Sequence, residues 1–197
     1  MFLAAGAIAF GAGCLARSRY ERDCLVTEEY RIVSEKIHGP EKTIVFLTDL
    51  HNKEFGDQNC RLLDAVRKVK PDAVLSGGDG MVAKKGNSDV EIPRKLLTEL
   101  AKEFPVYCGN GNHECRMVWK SDIYGAAYEN YQAALENAGI RYLANGSADL
   151  DGEIRIYGLD LPKSAYLPRS GQIPENLLKD ALGEPDPGRF NLLLAHS

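Results

Sequence analysis

Four short apolar runs in this chain each end abruptly in a residue able to hold a cation, and this repetition limits the fold more than any other feature. Thr43-Ile-Val-Phe-Leu47 stops at Thr48-Asp-Leu-His51, and Ala73 to Leu75 stops at Ser76-Gly-Gly-Asp79. Pro105-Val-Tyr-Cys108 stops at Gly109-Asn-Gly-Asn-His-Glu114, and Phe190 to Ala195 stops at His196. Short, continuous, β-rich apolar runs are the pattern of strands buried on both faces. Between them lie helical patterns. Asp57 is expected to cap a helix carrying Leu62, Leu63, Val66 and Val69, which Pro71 ends. A second helix is expected over Ile92 to Glu103 with Pro93 in its first turn, and a third over Tyr124 to Ala138 with Gly139 as its stop. Ile140 to Leu143 and Ile154 to Tyr157 read as further strands, and Pro162 to Asp180 as a loop with a short helix. Strands alternating with helices predict α/β layering. No repeat or linker divides the chain from residue 40 onward.

In open α/β sheets ligands collect beyond the carboxyl ends of the strands, where loops from separate strands converge. The four tips are therefore expected to share one cleft. Asp49, His51, Asp79, Asn112 and His196 offer carboxylate, imidazole and amide oxygen without thiolate, a set suited to Mn, Fe, Zn or Mg. Taken singly, each tip has an ordinary explanation: Gly-Gly-Asp is a common turn, and Asn after Gly a common turn former. The joint pattern is what carries information, because three of the 4 histidines fall in these tips. Gly109 and Gly111 lack the third glycine or the following Lys-Ser/Thr of a dinucleotide or P-loop signature.

The residues resemble the calcineurin-like metallophosphoesterase superfamily, whose pattern is Asp-x-His, Gly-Asp-x-x-Asp, Gly-Asn-His-Asp/Glu, a lone His and finally Gly-His-x-His. Here the blocks stand as Asp49-Leu50-His51, Gly78-Asp79, Gly111-Asn112-His113-Glu114 and His196. The apolar N-terminus followed by Val26-Thr-Glu-Glu-Tyr30 looks like the membrane-associated bacterial branch. The resemblance implies a layered β-sandwich flanked by helices over residues 25–197. It implies two divalent metal ions, manganese favoured, at a dinuclear site. Asp49 and His51 would bind the first ion, Asp79 would bridge both, and Asn112 and His196 would bind the second. His113 would face the substrate as the catalytic group that protonates the leaving oxygen or stabilises transition-state charge. The implied reaction is hydrolysis of a phosphate ester, as phosphodiesterase or phosphatase, by attack of hydroxide from a bridging water. The substrate is expected to be lipid-linked or nucleotide-like. Two departures stand out. Val82 replaces the second Asp of Gly-Asp-x-x-Asp, removing a carboxylate expected to help position Asp79. The sequence also stops before a Gly-His-x-His, so the expected domain is C-terminally incomplete, with an open and weakened site.

Met1 to Ala16 carries no charge, and Arg17, Arg19 and Arg22 follow it. Residues 1–24 are read as an anchor or signal-like segment with a basic flank. As a helix the apolar run spans about 24 Å, short of the ~30 Å hydrocarbon layer. Arginines after the run place the following domain on the cytoplasmic side of a membrane to which it is expected to be attached. Gly11-Ala-Gly-Cys14 resembles a lipoprotein cleavage site only loosely. With 24 Lys and Arg against 28 Asp and Glu, the net charge of -4 gives no basic stripe for nucleic acid. The 5 cysteines form no C-x-x-C pair and are read mostly as free thiols, with Cys108 and Cys115 buried beside His113. Tyr124, Tyr128 and Tyr131 are expected to be packing, and Met117 and Trp119 to line a substrate groove.

Two other function classes compete with the phosphoesterase. One is a binding or scaffold module on the same fold without turnover, and the other a mononuclear hydrolase acting on a non-phosphate ester or amide.

Overall fold

In the computed structural model, residues 2–166 and 173–196 are described, with side chains from residue 10 onward. The expected loop over Pro162 to Asp180 lies partly outside them, and Ser197 wholly so. The first sheet is parallel, in the order β1 (Ile44–Leu47), β2 (Ala73–Ser76), β3 (Val106–Cys108) and β4 (Arg141–Tyr142). The second is formed by β5 (Gly146–Asp149), β6 (Ile154–Leu159) and β7 (Phe190–Ala195), with β5 antiparallel and β7 parallel to β6. The expected mixed α/β architecture with two packed sheets is what forms.

Period-two alternation on β2 and β3 sorts their side chains to opposite faces. Val74, Val106 and Cys108 pack under helices α2 (Cys60–Val69), α3 (Glu91–Ala101) and α6 (Ala127–Asn137), together with Leu62, Leu63, Val66, Leu96, Leu97 and Leu100. Ala73, Leu75 and Tyr107 pack the other way, against Leu143, Ile154, Ile156 and Leu194 around the second sheet. The sheet is thus covered on both sides, which is why its strands lack polar positions. Each Leu buried this way contributes about 1.5–3 kcal/mol. Tyr124, Tyr128 and Tyr131 lie in the helix-side core, as their spacing predicts. Every cysteine is a free thiol, with Cys108 and Cys115 buried.

Local readings fail in four places. Asp57 opens a 3-10 turn, Asp57–Asn59, instead of capping α2, because Gln58 and Asn59 take left-handed backbone angles there. Tyr124 closes a separate short helix, α5 (Ser121–Tyr124), since Gly125 at φ 57 breaks it from α6. Met117 belongs to the core rather than to a groove. The segment taken as the third tip opens a helix, α4 (Asn112–Trp119), whose Trp119 ring leans on Tyr166 at 5.5 Å.

The N-terminal helix α1 runs from Phe2 to Asp23, past the apolar stretch and through Arg17, Arg19, Glu21 and Arg22. Among the described residues no helix is long and apolar enough to cross a membrane. The charged end of α1 is tied to the body by the Asp23–Lys53 ion pair, and the Arg61 guanidinium donates to the Asp23 carbonyl at 3.5 Å.

Candidate metal centre

The tips of β1, β2 and β3 are stitched together through their backbones. Asp49 N donates to Gly78 O at 3.1 Å, His51 N to Asp79 O at 3.0 Å and Asn52 N to Gly80 O at 2.9 Å. Asp49, His51, Asn52 and Asp79 all have positive φ, between 49° and 59°. Asp, Asn and His are the non-glycine residues that tolerate this region best, and such backbone strain clusters at functional sites. Two glycines let the β2 and β3 tips touch. A Cβ on Gly78, at φ 93, would overlap the Gly111 amide, and one on Gly111 would overlap the Asp79 carboxylate.

Asp79 is the centre of the cluster and is only 2% exposed. Its Oδ1 accepts from His113 N, in the first turn of α4, at 2.8 Å. Its Oδ2 faces three imidazoles: His51 Nε2 at 3.1 Å, His196 Nε2 at 3.4 Å and His113 Nε2 at 4.0 Å. Asp49 joins through Oδ1, 3.8 Å from His196 Nε2, while its Oδ2 accepts from the Thr48 hydroxyl at 2.7 Å. Two groups able to hold a cation result, His51–Asp79–His113 and Asp49–Asp79–His196, and both contain Asp79. All the expected ligands thus meet, although these distances group His51 and Asp49 on different sides of Asp79 rather than together.

The histidines are anchored by different backbone groups. His196 Nδ1 lies 3.1 Å from the Gly77 carbonyl, so it carries the proton and leaves the Nε2 lone pair aimed at Asp79 and Asp49. A carbonyl behind the ring is how metal-binding imidazoles are oriented. A lone pair facing two carboxylates is a poor arrangement without a cation between them. The residues therefore fit divalent ions. His113 is anchored through Ala83 instead. Its Nδ1 sits 3.0 Å from Ala83 N and 3.3 Å from both the Ala83 carbonyl and the Arg116 guanidinium, so these groups fix the ring while Nε2 points toward Asp79. Burial lowers the His113 pKa, opposed by the Asp79 carboxylate and reinforced by Arg116. Asn112 stands beside Asp79. With its amide nitrogen inward it donates to Asp79 Oδ2 at 3.1 Å. With its oxygen inward, two oxygens face each other, which a shared cation would stabilise.

Glu114 is the residue that sequence reasoning passed over. It is 2% exposed, and its carboxylate accepts from Asp79 N at 2.9 Å, Gly111 N at 3.0 Å and Gly80 N at 3.1 Å. It thereby clamps the β2 tip to the start of α4. Burial pushes its carboxyl up to about 7 while these amides pull the other way. The signal was present: an acidic residue three positions into a helix commonly reaches back to the N-cap amide. Asp79 is therefore positioned without the carboxylate that Val82 lacks.

Residues 42–197 match the family described as Calcineurin-like phosphoesterase. Among curated proteins none matches the chain.

Proposed function

From a chain that belongs to the calcineurin-like phosphoesterase family, we propose an enzyme that hydrolyses a phosphate ester at a site for two divalent cations, manganese favoured. Asp79 would be shared between the two ions, and Asp49, His51, Asn112 and His196 would hold them with it. Divalent ions held there supply Lewis-acid polarisation of a phosphoryl oxygen and lower the pKa of a water. The rest falls to the chain. Asp79 and Asp49 hold negative charge where the cations sit. Asn112 contributes a neutral amide oxygen, so the site keeps net positive charge for phosphate. His113 stands close to the ligands, placed to donate a hydrogen bond to a phosphoryl or leaving oxygen and so stabilise the charge that develops there.

The His196 ring is the observation that carries this reading: its Nδ1 is anchored on the Gly77 carbonyl and its Nε2 faces the Asp49 and Asp79 carboxylates, an arrangement that a divalent cation between them would satisfy. Hydrolysis of 4-nitrophenyl phosphate and bis(4-nitrophenyl) phosphate on titration with manganese tests it. The expected result is turnover that rises with metal and needs two ions per chain by calorimetry. Asp79→Ala should lower the rate by more than the about 100-fold lost when only a ligand's support is removed. Turnover that survives Asp79→Ala, or uptake of one ion without hydrolysis, overturns the proposal.

A further inference from the structure

The end of α1 forms one wall of a cleft of about 790 Å³ whose other wall is the β1 tip, with Asp49 and His51 among its residues. That volume lies within the about 300–1,000 Å³ of small-molecule sites. Arg19, Arg22 and Asp23 line it from α1, and Lys53 from the β1 loop. At spacings of three and four, Arg19, Arg22 and Asp23 share a helix face. Asp23 is paired with Lys53, so these two charges cancel. Arg19 and Arg22 make no close ion pair among the described residues, although both lie near enough to the Asp23 carboxylate to lower its pKa, and Arg17 on the same helix pairs with Glu21 at 2.7 Å. In a protein of net charge -4, Arg19, Arg22 and Lys53 around the single Asp23 carboxylate leave that wall of the cleft with an excess of positive charge. Arginine also presents a planar fork matched to phosphate.

We infer that Arg19 and Arg22 form a second anion subsite, which takes a phosphoryl group carried by the substrate in addition to its scissile ester. This rests on the phosphoesterase reading and narrows its substrate class to esters bearing a second phosphate. The Asp23–Lys53 pair docks the helix so that the subsite lies beside Asp49 and His51. The same arginines were expected from sequence to flank a membrane anchor, and an anionic lipid surface is the rival source of the charge they would meet.

The test compares thymidine 3′,5′-bisphosphate with thymidine 5′-monophosphate, bound to the manganese-loaded full chain and read by calorimetry. The wild type should prefer the bisphosphate by about tenfold, the worth of one charge-assisted contact pair. Arg19→Ala/Arg22→Ala should erase the preference, and the double Lys variant should restore part of it. Arg17→Ala should leave it intact. A preference that persists in the double Ala variant overturns the inference, as does equal weakening of both ligands. Flotation with phosphatidylglycerol vesicles separates the rival: vesicle binding lost in the double variant while the nucleotide preference is unchanged would assign the arginines to a membrane. Failure of the phosphoesterase reading shows separately, as absent hydrolysis of both chromogenic esters by a wild type that still discriminates the nucleotides.

Discussion

Asp79 and Arg22 lie close to the same centre but are held in opposite ways. Asp79 is buried, its amide fixed by Glu114 and its carboxylate by the α4 amide of His113. Arg22 is exposed at the end of a helix whose attachment is the Asp23–Lys53 pair with one long bond from Arg61. Groups that must concentrate charge at a point are over-determined by the backbone, because an ångström of play there costs rate. Groups that meet the periphery of a ligand tolerate looseness, because a long guanidinium side chain finds its partner after binding. The first arrangement depends on burial, and the second is exposed to salt screening.

The contrast can be broken in several places. The largest effect after Asp79→Ala is expected from Glu114→Ala. It strands three buried amides at about 1–3 kcal/mol each by the usual cost of an unmet donor, so thermal denaturation should show a loss of several kcal/mol. Manganese affinity should fall about 10–100-fold. A stable Glu114→Ala protein with unchanged manganese affinity would show that the tips hold themselves. Gly78→Ala comes next: the left-handed backbone and the overlap with Gly111 predict destabilisation of more than about 1 kcal/mol. Denaturant midpoints read it directly, and an unchanged midpoint would deny the close approach of the two tips.

Lys53→Ala sharpens the other side. Removing this solvent-screened pair should leave global stability nearly unchanged, yet free the end of α1. Limited proteolysis between residues 24 and 43 should accelerate, whereas an unchanged cleavage rate would mean that other contacts dock the helix. The smallest effect concerns the thiols. Burial pushes both Cys108 and Cys115 up to about 12, so at pH 8.5 they stay protonated and inert, while exposed Cys14 and Cys60 react. Mass mapping after brief iodoacetamide treatment checks this, and modified Cys108 in folded protein would contradict the packing of β3.

The strands that carry the ligands were legible because their apolar runs are local and unbroken. The ends of β1, β2, β3 and β7 fall within a residue of where the runs stop. Elements without such runs were not. β5, Gly146-Ser-Ala-Asp149, has almost nothing apolar and is a strand because β6 pairs with it. α4 begins inside a ligand tip, where Asn112, His113 and Glu114 obey the needs of the centre before those of helical periodicity. In the site, the residue types were readable and Glu114 only in part: its place three residues into α4 signals the bond to Gly111 N, but no spacing reveals its bonds to Asp79 and Gly80.

The sequence alone set which side chains can bind cations, the strands that carry most of them, and the apolar faces that fold those strands into a covered sheet. Each of these depends on neighbours within a few positions along the chain. Packing of two sheets and a returning helix decided the rest: that His196 from the second sheet meets Asp79 from the first, that the Gly77 carbonyl anchors His196 while the Ala83 backbone anchors His113, and that Arg19 and Arg22 border the cleft. These contacts join residues separated by tens of positions, and they exist only once burial of both sheet faces has fixed the distances between them.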